Sequence, residues 1–395
     1  MYHRGGVIIS SASPSNSTDP RAPDESSDAQ PVDTPADGAA PEPAANPLRS
    51  VYTSNLPDIL AQLGISLAVS TYQAGKVILV RNDNGVINTH FRNFHKPMGI
   101  ATDAGASRLT IGGANTVWYY RNMPAVAPKV EPQGKHDACY LPREIHVTGD
   151  IDIHEMAYDA QGQLWVVNTK FCTLCTLDPE HSFNPVWRPH FVSALAAEDR
   201  CHLNGLAMVN GLPKYVTALG ETNTPGGWRE NKKSGGILMD VETNEILLRG
   251  LSMPHSPRVY NNQLWVLESG QGSLIRVDVQ TGETHTICQL PGFTRGISFL
   301  GQLAFIGLSQ VRETAVFSGI PLVERLAERT CGVWVVNIQT GQTVAFLRFE
   351  EGVQEIFAVQ ILPARFPEML EWQDKLLMNS YVVPDAALKD IPQNV

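Results

Sequence analysis

The sequence predicts an all-β fold: a six-bladed β-propeller whose last inner strand closes a blade together with the N-terminal strands. Three observations predict it: a repeated strand block, a repeated hairpin block, and strand openings spaced as blades require. Gln163-Leu164-Trp165-Val166-Val167-Asn168 leads to Asp178 ten residues on, and Gln263-Leu264-Trp265-Val266-Leu267-Glu268 leads to Asp278 at the same interval. Gln302-Leu303-Ala304-Phe305-Ile306-Gly307 is a weaker third copy. The unit ends repeat as Asp278-Val279-Gln280-Thr281-Gly282-Glu283 and Asn337-Ile338-Gln339-Thr340-Gly341-Gln342, with Asp240-Val241-Glu242-Thr243-Asn244-Glu245 a looser copy. Thr followed by Gly or Asn between β-branched runs is hairpin chemistry, because Gly and Asn accept positive φ. Strand openings at Ile100, Met156, Leu206, Arg258, Ile297 and Phe357 fall 39 to 60 residues apart, a period of multi-stranded blades with loop insertions.

The elements follow in order. Residues 1–48 are rich in Pro, Ala, Ser and Asp, too poor in large apolar side chains to offset chain entropy, and predict a disordered tail. The apolar stretch Val7–Ile9 is too short for a signal-peptide core. No apolar run approaches the roughly 20 residues of a membrane helix, so no membrane span is expected. With six Cys expected as free thiols, the reading is cytoplasmic. Residues 49–365 form the expected propeller. Within it, 66–92 supply strands that lack an opening strand, while Ile356–Leu362 is an opening strand that lacks partners. Joining the two completes the sixth blade and removes exposed edges. Residues 366–395, including Phe366–Trp372, are expected as a C-terminal helix and tail packed outside. Insertions are expected at 122–150, 222–236 and 309–330.

Of the 395 residues, 43% are apolar and 18% charged, enough for a large core, and the net charge is −10 with no basic block. That balance argues against a nucleic-acid partner.

Several stretches resemble a known family. Ser70-Thr71-Tyr72-Gln73-Ala74-Gly75, Cys201-His202-Leu203-Asn204-Gly205-Leu206-Ala207-Met208 and Leu251-Ser252-Met253-Pro254-His255-Ser256-Pro257-Arg258 are three of them. Leu290-Pro291-Gly292-Phe293-Thr294-Arg295-Gly296 and Gly352-Val353-Gln354-Glu355-Ile356-Phe357 are two more. They resemble a propeller family of bacteria and plants known only as a domain of unknown function, over about residues 50 to 365. The resemblance implies the fold and brings no reaction with it. Asn204-Gly205-Leu206-Ala207 and Tyr158-Asp159-Ala160-Gln161-Gly162-Gln163-Leu164-Trp165 are more distantly similar to gluconolactonase and strictosidine-synthase propellers, a likeness of fold.

Chemistry is expected where the inner strands begin, because their approaches converge at one mouth of the central channel. Those approaches hold His95, His154, Glu155, His202, Asn204, His255, Arg258, Arg295 and Glu355. Imidazole and carboxylate together suit a divalent cation, calcium or zinc, with Glu155, Asn204 and Glu355 as its protein ligands. Arg258 and Arg295 suit an anionic small molecule, gripped bidentately, with His154 or His255 as acid or base and Glu155 beside them. His202, Asn204 and Glu355 would complete the ligand wall. The glycine-rich insertion 222–236, with exposed-looking Trp228 and Arg229, suits a rim over that site. Neighbouring residues on a strand face opposite ways, so His154 and Glu155 are not both expected in the channel. The resulting reading is small-molecule binding or hydrolysis, metal-assisted and lactonase-like. The competing reading is a non-catalytic scaffold that holds a protein partner through its rim loops. The same cluster also reads as ordinary channel solvation, since buried polar groups find partners. Cys172-x-x-Cys175 overlays Gly272 and Ile275 in the repeat, which predicts mid-strand, packed thiols.

Overall fold

The computed structural model describes residues 48–311 and 319–390. Nearly all of the expected tail, and part of the expected 309–330 insertion, lie outside the described residues. Six small sheets, antiparallel but for one added C-terminal strand, form the six blades. Their inner strands are Ala358–Leu362, Ile100–Thr102, Ile153–Tyr158, Leu203–Val209, Pro254–Tyr260 and Phe293–Leu300. Each predicted opening residue lies in one of these strands, or directly before it in the case of Phe357.

The ring closes as expected. Ala358–Leu362 pairs with Ser66–Thr71 in the register Ser66↔Leu362 through Ser70↔Ala358. A second clasp comes from Ser50–Tyr52, which lies antiparallel on the outer strand Thr343–Phe349 of the preceding blade. Between these clasps Leu56–Leu63 is a helix with Pro57 in its first turn and Gly64 left-handed at its C-terminus, burying Leu56 and Leu60.

Because blades pack face to face, the central strands are covered on both sides and read as continuous apolar runs. Val69, Ile78 and Val80 of the closing blade meet Phe305, Val333 and Val335 of its neighbour in one buried cluster. The hairpin repeats have a common cause. Asp240, Asp278 and Asn337 each accept the backbone N–H groups two and three residues on, at 2.8–3.1 Å. The residue that then turns back is left-handed Asn244, Gly282 or Gly341.

Three expectations are corrected. Phe366–Trp372 does not form a helix: Pro367–Met369 is a strand, parallel to the outer strand Ala138–Val147, and the C-terminal helix expected within 366–395 is the short Lys375–Met378. Tertiary demand overrides local preference there. Glu368 is buried and takes Arg92 at 2.9 Å, His90 at 3.0 Å and Arg81 at 3.6 Å. Arg81 and Arg92 also donate to the carbonyls of Pro367 and Met369. The expected 122–150 insertion is also shorter than predicted, because Ala138–Val147 is the blade's own outer strand paired with Thr116–Asn122; just before that strand, Asp137 accepts the N–H groups of Arg365 and Phe366. Cys172, too, is not mid-strand. It occupies the turn before Thr173–Asp178 with φ 54°, matching Gly272 at φ 71°. Among the described residues no helix is long and apolar enough to cross a membrane.

Candidate functional site at one mouth of the channel

One end of the channel opens into a cavity of about 200 Å³ to which all six blades contribute. Its polar wall is His154, His202, His255, Arg295, Lys96 and Asp152, and Trp228 and Arg229 come from the 222–236 insertion. Tyr72, Phe293 and Phe357 supply aromatic surface.

The approaches to the inner strands place these groups by unusual backbone. Asp152 and Met253 are left-handed, at φ 53° and 46°. Each turns its carbonyl onto the imidazole two residues later, at 3.1 Å to His154 Nδ1 and 3.0 Å to His255 Nδ1. A carbonyl only accepts, so both Nδ1 atoms carry the proton and both Nε2 atoms keep a lone pair. Burial holds both imidazoles well below the usual histidine range, reinforced by neighbouring cations and histidines. They are neutral acceptors at neutral pH.

His202 differs. It is itself left-handed, at φ 52°, and its Nδ1 lies 2.9 and 3.1 Å from the two carboxylate oxygens of Asp199. Its ring lies 4.5 Å from the Trp228 ring and edge-on to His154 at 4.7 Å. Asp199 also accepts Trp228 Nε1 at 2.9 Å and Arg229 Nη2 at 3.2 Å. Trp228 is therefore not the exposed residue expected. It is 3% exposed, and only Arg229, stacked over its ring at 4.3 Å, faces solvent. Gly220 permits this closure, because a Cβ there would stand 3.0 Å from Trp228 Cα.

The charges at this mouth and in the channel below it pair off with one exception. Lys96 takes Asp152 at 3.1 Å, Arg229 takes Asp199 at 3.2 Å, and Arg258 takes Glu155 at 3.0 Å. Arg295 lies over the Phe357 ring at 3.7 Å, and among the described residues no carboxylate oxygen comes within 4.0 Å of its guanidinium. Burial pulls it down to about 10, against the fields of Asp152 and Glu155, so it stays cationic at neutral pH.

Of the residues singled out from sequence, His154, His202, His255, Arg295, Trp228 and Arg229 meet in this cavity. Glu155 and Arg258 do not line it. They pair bidentately inside the channel, and Arg258 borders a second cavity farther along the inner strands, with Met156, Leu206 and Gln360. Asn204 is buried, giving Nδ2 to the Pro254 carbonyl and receiving Thr217 Oγ1. Glu355 is half-buried outside the cavity lining, its carboxyl raised by burial. His95 is exposed. Among the described residues no group of three or more His, Cys, Asp or Glu is placed to hold a metal ion. In the set Glu155, Asn204 and Glu355, the first two already have protein partners. Sequence reasoning missed Asp199, Asp152 and Phe357 as site residues, while Lys96, beside His95 at a blade entry, does reach the cavity. A left-handed Asp three residues before a His carries no signal in a strand-based repeat.

The thiols also sort differently. Cys172 faces Cys201, whose N–H donates to Cys172 Sγ at 3.3 Å, while Cys175 stands in the strand opposite Val166.

The family model described as a domain of unknown function, DUF4915, matches residues 54–370. No curated protein matches the chain. Two solved structures are similar to it in part. One is a chain of a nidogen/laminin complex, with TM-score 0.49 and 9% identity over 76% of this chain and 100% of that one. The other is a protein of unknown function from Bacteroides caccae, with TM-score 0.47 and 8% identity over 76% of this chain and 99% of that one.

Proposed function

The chain belongs to the DUF4915 family of domains of unknown function, and from its own site we propose that it binds a small organic anion at the channel mouth. The observation that carries this reading is Arg295, the one cation there without a carboxylate partner among the described residues. A half-buried cation with no carboxylate in contact is poorly compensated, and a carboxylate or phosphate would pair with it through charge-assisted hydrogen bonds. The neutral His154 and His255 offer acceptors for hydroxyl groups of the same ligand. A cavity of about 200 Å³ has room for roughly six or seven waters at ~30 Å³ each, so the ligand is small. Hydrolysis of an anionic lactone or ester is the reaction class this wall suits, and the six free thiols favour a cytoplasmic setting.

A thermal-shift screen of small acids, lactones and phosphates tests the reading. We expect at least one anion to raise the melting temperature of the native chain, and Arg295→Ala to abolish the rise. No anion effect, or an unchanged effect in Arg295→Ala, overturns it. Metal analysis of the purified protein tests the metal-assisted form separately. Retained calcium or zinc that is lost in Glu355→Gln would support it. Saturable anion binding that depends on Arg295 also separates this reading from a scaffold, which needs no such ligand.

A further inference from the structure

We infer that His202, positioned by Asp199, is the general base of a hydrolytic site whose substrates are small lactones or esters carrying a carboxylate. The inference rests on the anion site proposed above.

Three imidazoles face the cavity, and only one is equipped to take up a proton. His154 and His255 give their Nδ1 protons to backbone carbonyls. The nearest carboxylate oxygen of Asp152 stands 3.6 Å from His154 Nδ1, and that carboxylate is engaged by Lys96 at 3.1 Å. His255 has no carboxylate beside it, and the Asp152 carboxylate is too far from His154 Nδ1 for a hydrogen bond. His202 does, since both oxygens of Asp199 lie within 3.1 Å of its Nδ1. A carboxylate in that position fixes the tautomer, leaves the Nε2 lone pair for chemistry, and stabilises the imidazolium once formed.

The support around this pair is that of a rigid site. Trp228 packs against the His202 ring at 4.5 Å, tilted by 42°, and donates to Asp199 at 2.9 Å. Arg229 donates to the same carboxylate, and the Asp199 N–H is tied to the Lys170 carbonyl at 2.9 Å. Left-handed backbone at both Asp199 and His202 is strain of the kind found at functional sites.

The step balances with water alone. With the substrate carboxylate on Arg295, His202 Nε2 accepts a proton from a water as the water oxygen adds to the acyl carbon. The acyl C–O bond to the alkoxy oxygen then breaks, and that oxygen takes the proton back from His202. A lactone gives a hydroxy acid bearing the original carboxylate, an ester gives an acid and an alcohol with that carboxylate on one of them, and the imidazole is returned neutral.

The test uses the full chain and two probes. Paraconate, a γ-butyrolactone bearing one carboxylate, is followed by pH-stat, with uncharged γ-butyrolactone as its comparator. Tetrahydrofuroate, which lacks the acyl carbon, reports binding alone by calorimetry. We expect paraconate to be hydrolysed well above the buffer rate and in preference to γ-butyrolactone. His202→Asn, chosen because Asn accepts left-handed backbone, should lower kcat/KM by at least about 100-fold while tetrahydrofuroate still binds. Arg295→Ala should raise KM chiefly. Asp199→Asn should lower kcat and move the acid limb of the pH profile to lower pH, because the imidazolium loses its counter-charge. A structural role would not move that limb. Wild-type protein that binds tetrahydrofuroate yet leaves paraconate at the buffer rate overturns the inference, as does an undiminished rate in His202→Asn. Failure of tetrahydrofuroate to bind the wild type strikes the anion-site reading itself.

Discussion

Arg258 closes on Glu155 through two hydrogen bonds of 3.0 and 3.1 Å, joining blades 103 residues apart in sequence. Both residues open inner strands and invite a functional reading, but they satisfy each other. Glu155→Ala should therefore destabilise the protein, toward the lower end of the roughly 3–5 kcal/mol typical of breaking a buried pair, because Arg258 keeps some exposure. Urea unfolding measures it. Glu155→Leu with Arg258→Met should recover much of the loss. Anion-dependent thermal shifts should survive in both variants, and their disappearance at unchanged stability would place the pair in the site.

Ring closure makes folding depend on the last inner strand. Ala358–Leu362 covers the inner edge of Ser66–Thr71, and Ser70 also accepts the Phe357 N–H at 2.8 Å and the Ala358 N–H at 3.1 Å. A chain ending at Gly352 should give no cooperative transition by circular dichroism, since the open edge exposes the buried cluster around Val69 and Ile78. A stable monomer from that truncation would contradict the closure.

Glu368 makes the docked C-terminal strand sensitive to acid. Burial favours its protonated form, but His90, Arg92 and the Met369 N–H outweigh this and hold it at about 2, against an ordinary 4.5. A depressed carboxyl contributes stability above its unfolded value, and that contribution fades as pH falls from about 4.5 towards 2. The loss should be on the order of 3 kcal/mol over that window. Glu368→Gln should be less stable at neutral pH and show a flatter acid dependence in chemical denaturation. An acid slope identical to wild type would refute the assignment.

Cys172 should be the most reactive of the buried thiols. A hydrogen bond from Cys201 lowers it to about 7 despite burial, whereas burial raises Cys175 to about 11. Alkylation by iodoacetamide, mapped by mass spectrometry across pH, should modify Cys172 ahead of Cys175 whenever the turn opens. Cys201→Ala should move its titration upward. A disulfide between Cys172 and Cys175 would contradict the observed facing of Cys172 towards Cys201.

The sequence by itself determined the ring. Its hairpins repeat because the same Asx turn closes them after Asp240, Asp278 and Asn337, and its ends join because strands at 66–92 lack the opening strand that 356–362 supplies. Such signals are local and periodic, so they survive in one dimension. Only the tertiary structure decided which opening residues share a mouth. His255 and Arg258 open the same strand, yet a register shift lies between them. The extra residue keeps both side chains on one face, and three residues of strand separate His255 in the cavity from Arg258 on Glu155 farther along. Asp199 and Trp228 arrive on loops outside the repeat, and Glu368 sits in a strand where its buried carboxylate meets Arg81 and Arg92. These placements depend on backbone turns and long-range pairing, which no spacing of residues along the chain encodes.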